Sequence, residues 1–370
     1  MWPVLLLTNI MSIFVALMAG LIITGLNQAP NGAIPPPPAP IVAHPHYASW
    51  VQSVRGITLS GYQDFIVNDS TVAMIERQER AARNHWKANT IRLQLLQDRL
   101  VGGRGDSWNK HYFYYIRKGI KYALGLGLKV VINDQTEVSM GFAKNEPAPD
   151  HATQVFWEHM MIQYANDPNV IFDLFNEPRN ETWDQWLNGG KLEGWDGTYI
   201  GEQQLVNYIR GEGANNEIWV EGINWASTLA GVPILKGKDI VYTFHHPGSP
   251  HPDKAVIPGP RIWWDSFAYL AAEGYRVLDG EFANYIGNYY WDNHPGRSVR
   301  AYLTYLAAHH IGVLCWSLVA GSLNANGDYR SESAEPQGDG QIIGQFFRNQ
   351  TIMERIATVA KRLKKGKKHD

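Results

Sequence analysis

Two glutamates stand out for where they fall along the chain. Glu177 follows the apolar run in "VIFDLFNEP" (170–178), and Glu281 closes "RVLDGEF" (276–282). Carboxylates presented from two such runs and facing one another suit the cleavage of a glycosidic bond. One carboxyl group protonates the leaving oxygen, and the other stabilises or attacks the oxocarbenium-like carbon. Arg92, in the middle of "TIRLQL" (90–95), would be expensive to bury unpaired. A carboxylate should therefore meet it; Glu281 is the natural partner, and that pairing would keep Glu281 ionised. The other glutamate must then carry a proton at working pH, which burial beside an aromatic ring and a neighbouring carboxylate favours. Asn176 is suited to hydrogen-bond a sugar hydroxyl beside the reacting carbon, and Trp316, with Trp225 as a second candidate, to stack on a pyranose face. His245 and Gln135 complete the candidate set, each falling at or just after an apolar run.

Groups so far apart in sequence need a scaffold that brings strand ends together. Eight short apolar segments read as strands: 54–59, 89–95, 128–133, 170–175, 217–223, 240–245, 276–282 and 312–318. They recur about every 37 residues, which suits a strand-helix-strand unit of roughly 30 or more residues. Amphipathic stretches lie between them, including "DSTVAMIERQERAARNHW" (69–86), with Asp69 or Ser70 as its expected N-cap, and "GRSVRAYLTYLAAHH" (296–310). Strands alternating with helices predict a parallel sheet covered on both sides. Eight such units predict a single (β/α)8 TIM barrel in the α/β class. A doubly wound open sheet is the alternative, but the turn after the first strand, "SGYQDF" (60–65), has no phosphate-cradling glycine fingerprint. In a barrel of this kind catalytic groups gather at the C-terminal ends of the strands. The candidates Arg92, Gln135, Asn176, Glu177, Trp225, His245, Glu281 and Trp316 all fall in or just after strand candidates.

Composition narrows the partners. The chain has 370 residues, 45% of them hydrophobic, and a formal net charge of −2, so a large core is available and no nucleic-acid partner is expected. Cys315 is the only cysteine, which excludes an intrachain disulfide and a cysteine zinc site. The adjacent His245 and His246 point to opposite sides of a strand and lack a matching ligand spacing, so no metal is expected. No cofactor is needed for the chemistry above.

The N-terminus bears on location. Val4 to Leu26 carries no charged side chain and is long enough to cross a bilayer. The preceding residues lack the Lys or Arg of a usual signal peptide, which favours an uncleaved anchor over a cleaved leader. The following segment includes four consecutive prolines and reads as a stiff spacer. The expected organisation is an anchor or signal segment (1–26), a Pro-rich linker (27–46), a barrel domain (47–360) and a basic tail (361–370). The protein is expected to be exported, held to the membrane through residues 4–26 if these are retained, and monomeric.

The chain resembles the glycoside hydrolase family 5 cellulases, members of a clan of retaining barrel enzymes. The resemblance runs over about residues 50–360 and is carried by "RG" (55–56), "IRL" (91–93), "FNEP" (175–178), "FHH" (244–246), "DGEF" (279–282) and "CWSL" (315–318). It implies that Glu177 is the acid/base and Glu281 the nucleophile, with Arg92, Asn176, His245 and Trp316 supporting them. Two positions depart from the family pattern: Gln135 stands where a histidine is common, and Pro247 where a tyrosine often follows the sixth strand. The expected substrate is a polysaccharide or oligosaccharide, foremost a β-1,4-glucan cleaved internally. β-Mannan, glycosyl transfer to an acceptor, and a non-catalytic carbohydrate-binding barrel remain alternatives. Glu137, Glu221 and Asp279, also near strand ends, read equally well as orienting partners or as surface charges.

Overall fold

The computed structural model describes residues 53–59, 68–102, 105–136, 145–179, 181–245, 260–282, 295–318 and 340–351. The anchor (1–26), the linker (27–46), the basic tail (361–370), Glu137, His246 and Pro247 lie outside these residues. All eight expected strands form: β1 (Arg55–Thr58), β2 (Thr90–Leu96), β3 (Lys129–Gln135), β4 (Val170–Asp173), β5 (Ile218–Glu221), β6 (Ile240–His245), β7 (Val277–Phe282) and β8 (Gly312–Cys315). Each pairs in parallel with the next, and β8 returns to β1, closing the barrel. With helices between the strands this is a (β/α)8 TIM barrel.

Alternation along the strands separates two apolar regions. Val54, Val131, Ile171, Trp219, Val241, Leu278 and Leu314 form one cluster, nearly one residue per strand, that plugs the barrel interior. Their chain neighbours Ile132, Phe172, Val220 and Val313 belong instead to the outer cluster, together with helix residues such as Ile75, Ile116, Phe156 and Trp157. Because side chains alternate with period two, the residues next along the inner face after the plug point the same way, toward the C-terminal rim. Those residues are polar: Asn133 after Val131, Asp173 after Ile171, Glu221 after Trp219 and Thr243 after Val241. Gly56 permits closure between β1 and β8, since a Cβ there would lie 2.5 Å from Leu314 Cγ.

The first helix, Asp69–Asn84, is capped one residue earlier than expected. Asn68, rather than Asp69 or Ser70, takes the N-cap: its Oδ1 accepts from Thr71 N at 3.0 Å, and Thr71 Oγ1 accepts from Asn68 N at 3.1 Å. This reciprocal arrangement satisfies two backbone donors at the helix start. Register irregularities in β6 and β7 matter more for the site. The pairing shifts between Phe244 and His245 and again between Asp279 and Phe282, and the outcome sets His245 opposite Glu281. Bulges of this type re-aim side chains near functional sites.

Candidate active site

Immediately above the apolar plug lies a buried guanidinium. Arg92 is fully buried, and its donors are divided among four acceptors. Nε donates to Asp173 Oδ2 at 2.7 Å, one terminal nitrogen to Glu281 Oε1, and the other to Asn176 Oδ1 and Glu221 Oε1, each at 2.8 Å. Burial works against the charge on Arg92, but the carboxylates of Asp173, Glu281 and Glu221 more than offset it and hold the proton more tightly still. The expected contact with Glu281 is present, as one of three ion pairs. Asp173 also accepts from Asn133 Nδ2 at 3.1 Å. Burial nevertheless pushes its carboxyl up to about 7, against the pull of Arg92.

Glu177 follows β4 in a left-handed backbone conformation, with φ of 51°. Non-glycine residues rarely sit there, and such strain persists only when surrounding contacts fix it. Here the fixing contact is Glu221, whose Oε2 accepts the Glu177 N–H at 2.7 Å. The Glu177 carboxylate lies 3.0 Å, through Oε1, from His245 Nδ1. Its side chain is 20% exposed, against 8% for Glu281, so both reach toward the opening of the barrel.

His245 sits among three carboxylates. Nδ1 is 3.0 Å from Glu177 Oε1 and 3.8 Å from Glu281 Oε2, while Nε2 is 3.4 Å from Glu221 Oε1. Burial alone would favour the neutral ring, but Glu221, Glu281 and Glu177 together lift its proton affinity well above the usual histidine range. The surrounding carboxylates thus favour a proton on the ring, whose Nδ1 faces Glu177. Glu221 responds in the opposite sense. Burial would raise it, but His245, Arg92 and the Glu177 N–H hold it below the usual carboxylate value. Glu281 is raised, first by burial and then by Glu177 and Glu221, against His245 and Arg92. Arg92 therefore acts in the expected direction on Glu281, but the net shift is upward. Gly280 makes room for this cluster, because a Cβ there would meet His245 Nε2 at 3.1 Å.

One oxygen from each of Glu177 and Glu281 and a nitrogen of His245 all lie within 4.8 Å of one another. The donor types are those of a metal site, and a metal and a proton would compete for the same His245 nitrogen. In this arrangement two carboxyl groups face a common space with the His245 ring beside them.

Arg92, Asn176, Glu177, His245 and Glu281 are thus brought together, and Glu221 is an orienting partner rather than a surface charge. Asp279 is also buried, but it faces outward to Tyr302 OH at 2.6 Å and accepts the Glu281 N–H at 3.3 Å. Gln135 ends β3, buried at the rim, and the hydrogen bonds described for the two glutamates do not include it. Trp316 follows β8, partly buried, with its N–H on Phe282 O at 2.8 Å. Trp225 is 50% exposed and sits beside the loop that carries Glu177: its N–H donates to Pro178 O at 3.0 Å, and Arg179 stacks on its ring at 4.3 Å. Sequence reasoning missed Asn133, Asp173 and Gln94, the last donating to Glu281 Oε1 at 2.8 Å. The period-two face shared with Arg92 was the available signal for Gln94, and the lone acid inside "VIFDLF" was that for Asp173.

A closed eight-stranded parallel barrel that gathers paired glutamates after β4 and in β7 around a buried arginine is of the glycoside-hydrolase class. Residues 51–322 match the model of the cellulase family, glycosyl hydrolase family 5, and the chain belongs to that family. Among curated relatives, endoglucanase C of Evansella cellulosilytica is 26% identical over 193 residues, covering 48% of this chain and 22% of the relative. A cellulase of a Thermoanaerobacterium species is 26% identical over 196 residues, covering 52% of this chain and 46% of the relative. The match thus spans less than half the length of either relative. Two solved structures share the fold. An endocellulase from Pyrococcus horikoshii, in complex with cellotetraose, has a TM-score of 0.60 at 17% identity, covering 80% of this chain and 92% of that one. An endo-β-1,4-glucanase from Xanthomonas axonopodis pv. citri has a TM-score of 0.58 at 19% identity, covering 80% and 98%.

Proposed function

We propose that the protein is a retaining glycoside hydrolase acting on a β-linked polysaccharide, in first place an endo-β-1,4-glucanase. The observation that carries this reading is the approach of a Glu177 oxygen and a Glu281 oxygen to within 4.8 Å. Retaining pairs are separated by about 5–5.5 Å, and inverting pairs, which must admit a water, by about 6.5–9.5 Å. The family and the names of the relatives support a glucan.

In this reading a Glu281 oxygen attacks the anomeric carbon as Glu177 gives its proton to the departing glycosidic oxygen. The glycosyl ester on Glu281 is then opened by a water whose proton returns to Glu177. His245 Nδ1 lies between the two carboxyl groups, 3.0 Å from Glu177 Oε1 and 3.8 Å from Glu281 Oε2. Arg92 holds Asn176 beside Glu177, where the hydroxyl next to the reacting carbon would lie. Trp225, exposed and braced by Arg179, is the platform for a neighbouring sugar, and Trp316 and Gln135 line the rim. We also place the protein outside the cytoplasm, tethered through residues 4–26 and monomeric. Recovery of the full chain in the soluble fraction without detergent would overturn the tether.

The roles of the two glutamates are separated by rescue. Glu177→Ala should still attack an activated aryl β-cellobioside and then stall, giving a burst without turnover. Azide should release that intermediate with retained configuration, whereas azide with Glu281→Gly should give the inverted product. Proton NMR distinguishes the anomers; the opposite assignment would reverse the roles, and inversion by the unmodified protein would refute the retaining mechanism. The same substrate series, run with mannan and with added acceptors, decides between hydrolysis of glucan, hydrolysis of mannan and transfer.

A further inference from the structure

Glu281 is held asymmetrically. Its Oε1 accepts from a terminal nitrogen of Arg92 and from Gln94 Nε2, the latter at 2.8 Å, whereas Oε2 lies 3.8 Å from His245 Nδ1, beyond hydrogen-bond reach. Gln94 is buried, with 5% exposure, and stands two residues beyond Arg92 on the inner face of β2. We infer that Gln94 is a positioning residue for the nucleophile, which with Arg92 pins Oε1 of Glu281 so that Oε2 is the oxygen presented to the anomeric carbon. The inference rests on the nucleophile assignment made above.

The reason a second donor is needed lies in how Arg92 is shared. Its Nε and one terminal nitrogen are taken by Asp173, Asn176 and Glu221, so only the other terminal nitrogen is left for Glu281, and it contacts a single oxygen, Oε1. A carboxylate held by a single donor can pivot about that contact. A second donor, reaching the same oxygen from another point of β2, removes the pivot and fixes the plane of the group. A neutral amide does this without adding another charge to a site where Arg92 and His245 already face the carboxylates. Donation to the ionised form also opposes the burial that favours protonation of Glu281. Arrangements of this kind, in which supporting hydrogen bonds lock a reacting group, set how much of the bound population is in attacking geometry.

The test uses Gln94→Met, which keeps shape but not the donor, and Gln94→Glu, assayed on an activated aryl β-cellobioside so that protonation of the leaving group does not limit the rate. Gln94→Met should lower kcat/KM by about 10- to 100-fold, the scale of a lost hydrogen bond to a charged group. It should also move the acidic limb of the pH profile to higher pH, because Glu281 ionises less readily. Gln94→Glu can donate only while the two carboxyl groups share a proton, so its activity should persist at acidic pH and fail at a lower pH than that of the unmodified protein as the pH rises. An unmoved acidic limb in Gln94→Met overturns the inference, whether or not activity falls, since a merely structural role would lower activity and melting temperature together without moving the limb. Should Gln94→Met fail to fold, the alkaline failure of Gln94→Glu decides by itself, and an unmoved alkaline limb overturns the inference. Azide rescue of Glu281→Gly is run alongside. If rescue gives the inverted product while the Gln94 profiles stay in place, the inference on Gln94 fails and the nucleophile stands; if rescue gives none, both fall.

Discussion

Glu221 Oε2 accepts the backbone N–H of Glu177 at 2.7 Å, across 44 positions of sequence. The other oxygen of Glu221 accepts from Arg92 at 2.8 Å and faces His245 at 3.4 Å. One buried carboxylate thereby holds the left-handed backbone of one catalytic candidate and shares the cation that grips the other. Glu221→Ala should cost about 3–5 kcal/mol of stability, the usual result of removing one partner of a buried ion pair. It should lower kcat at least tenfold beyond any loss of folded protein. Denaturant unfolding followed by assay of the folded fraction separates the two effects, and a variant with near-normal kcat would show that Glu177 keeps its backbone without help.

Arg92→Met leaves Asp173, Glu221 and Glu281 buried without their guanidinium. The structure therefore predicts a folding defect as well as a catalytic one, with a loss above about 3 kcal/mol at neutral pH. Protonating the stranded carboxyl groups should relieve part of the strain, so the stability gap to the unmodified protein should narrow from pH 8 to pH 5. Parallel urea titrations at the two pH values check this, and an equal gap at both would mean that the carboxylates have found other partners.

His245 carries the clearest pH signature. Its folded proton affinity is raised well above the ordinary histidine value near 6.5, so its contribution to stability is fully present below about pH 6.5 and is lost as the pH climbs through the raised folded value. Glu221, held low, contributes above the usual carboxylate value and loses that contribution as the pH falls through its lowered one. Melting temperature should decline on the alkaline side in the unmodified protein. In His245→Gln that alkaline decline should be shallower, and thermal unfolding from pH 6 to 10 reads the difference directly; parallel curves would show that His245 does not titrate in this range.

Trp225 tests the substrate platform. Half-exposed and packed on Arg179, it contributes little to folding, and Trp225→Ala should cost no more than about 1 kcal/mol of stability. Loss of an aromatic face against a sugar ring should raise KM for oligosaccharides about tenfold. Trp225→Phe should recover most of that affinity. A KM unchanged in Trp225→Ala would place the ring outside the sugar path.

How much of this was legible beforehand follows from what a linear pattern can encode. The apolar runs were visible because a strand buried on both faces needs apolar residues in succession, and their even spacing carried the barrel. Glu177, Glu281, Arg92 and His245 were visible because each is a costly residue to place in or beside such a run. The N-cap at Asn68 was not, because Asn68, Asp69 and Ser70 all carry capping side chains and only backbone geometry chooses among them. The sequence by itself determined that strand candidates alternate with helices around a barrel and that Arg92, Glu177, His245 and Glu281 lie in or beside those strands. It did not determine who meets whom among them. Arg92 and Glu281 are 189 positions apart, and Arg92 and Glu221 129. Their contacts depend on closure of the ring and on the register shifts in β6 and β7 that bring His245 opposite Glu281. Only the tertiary structure decided that Arg92 is shared among three carboxylates, that three carboxylates surround His245 and that Gln94 reaches the same oxygen as Arg92. Hydrogen bonds and Coulomb attraction between buried groups are set by ångström-scale proximity, and that proximity is created by folding.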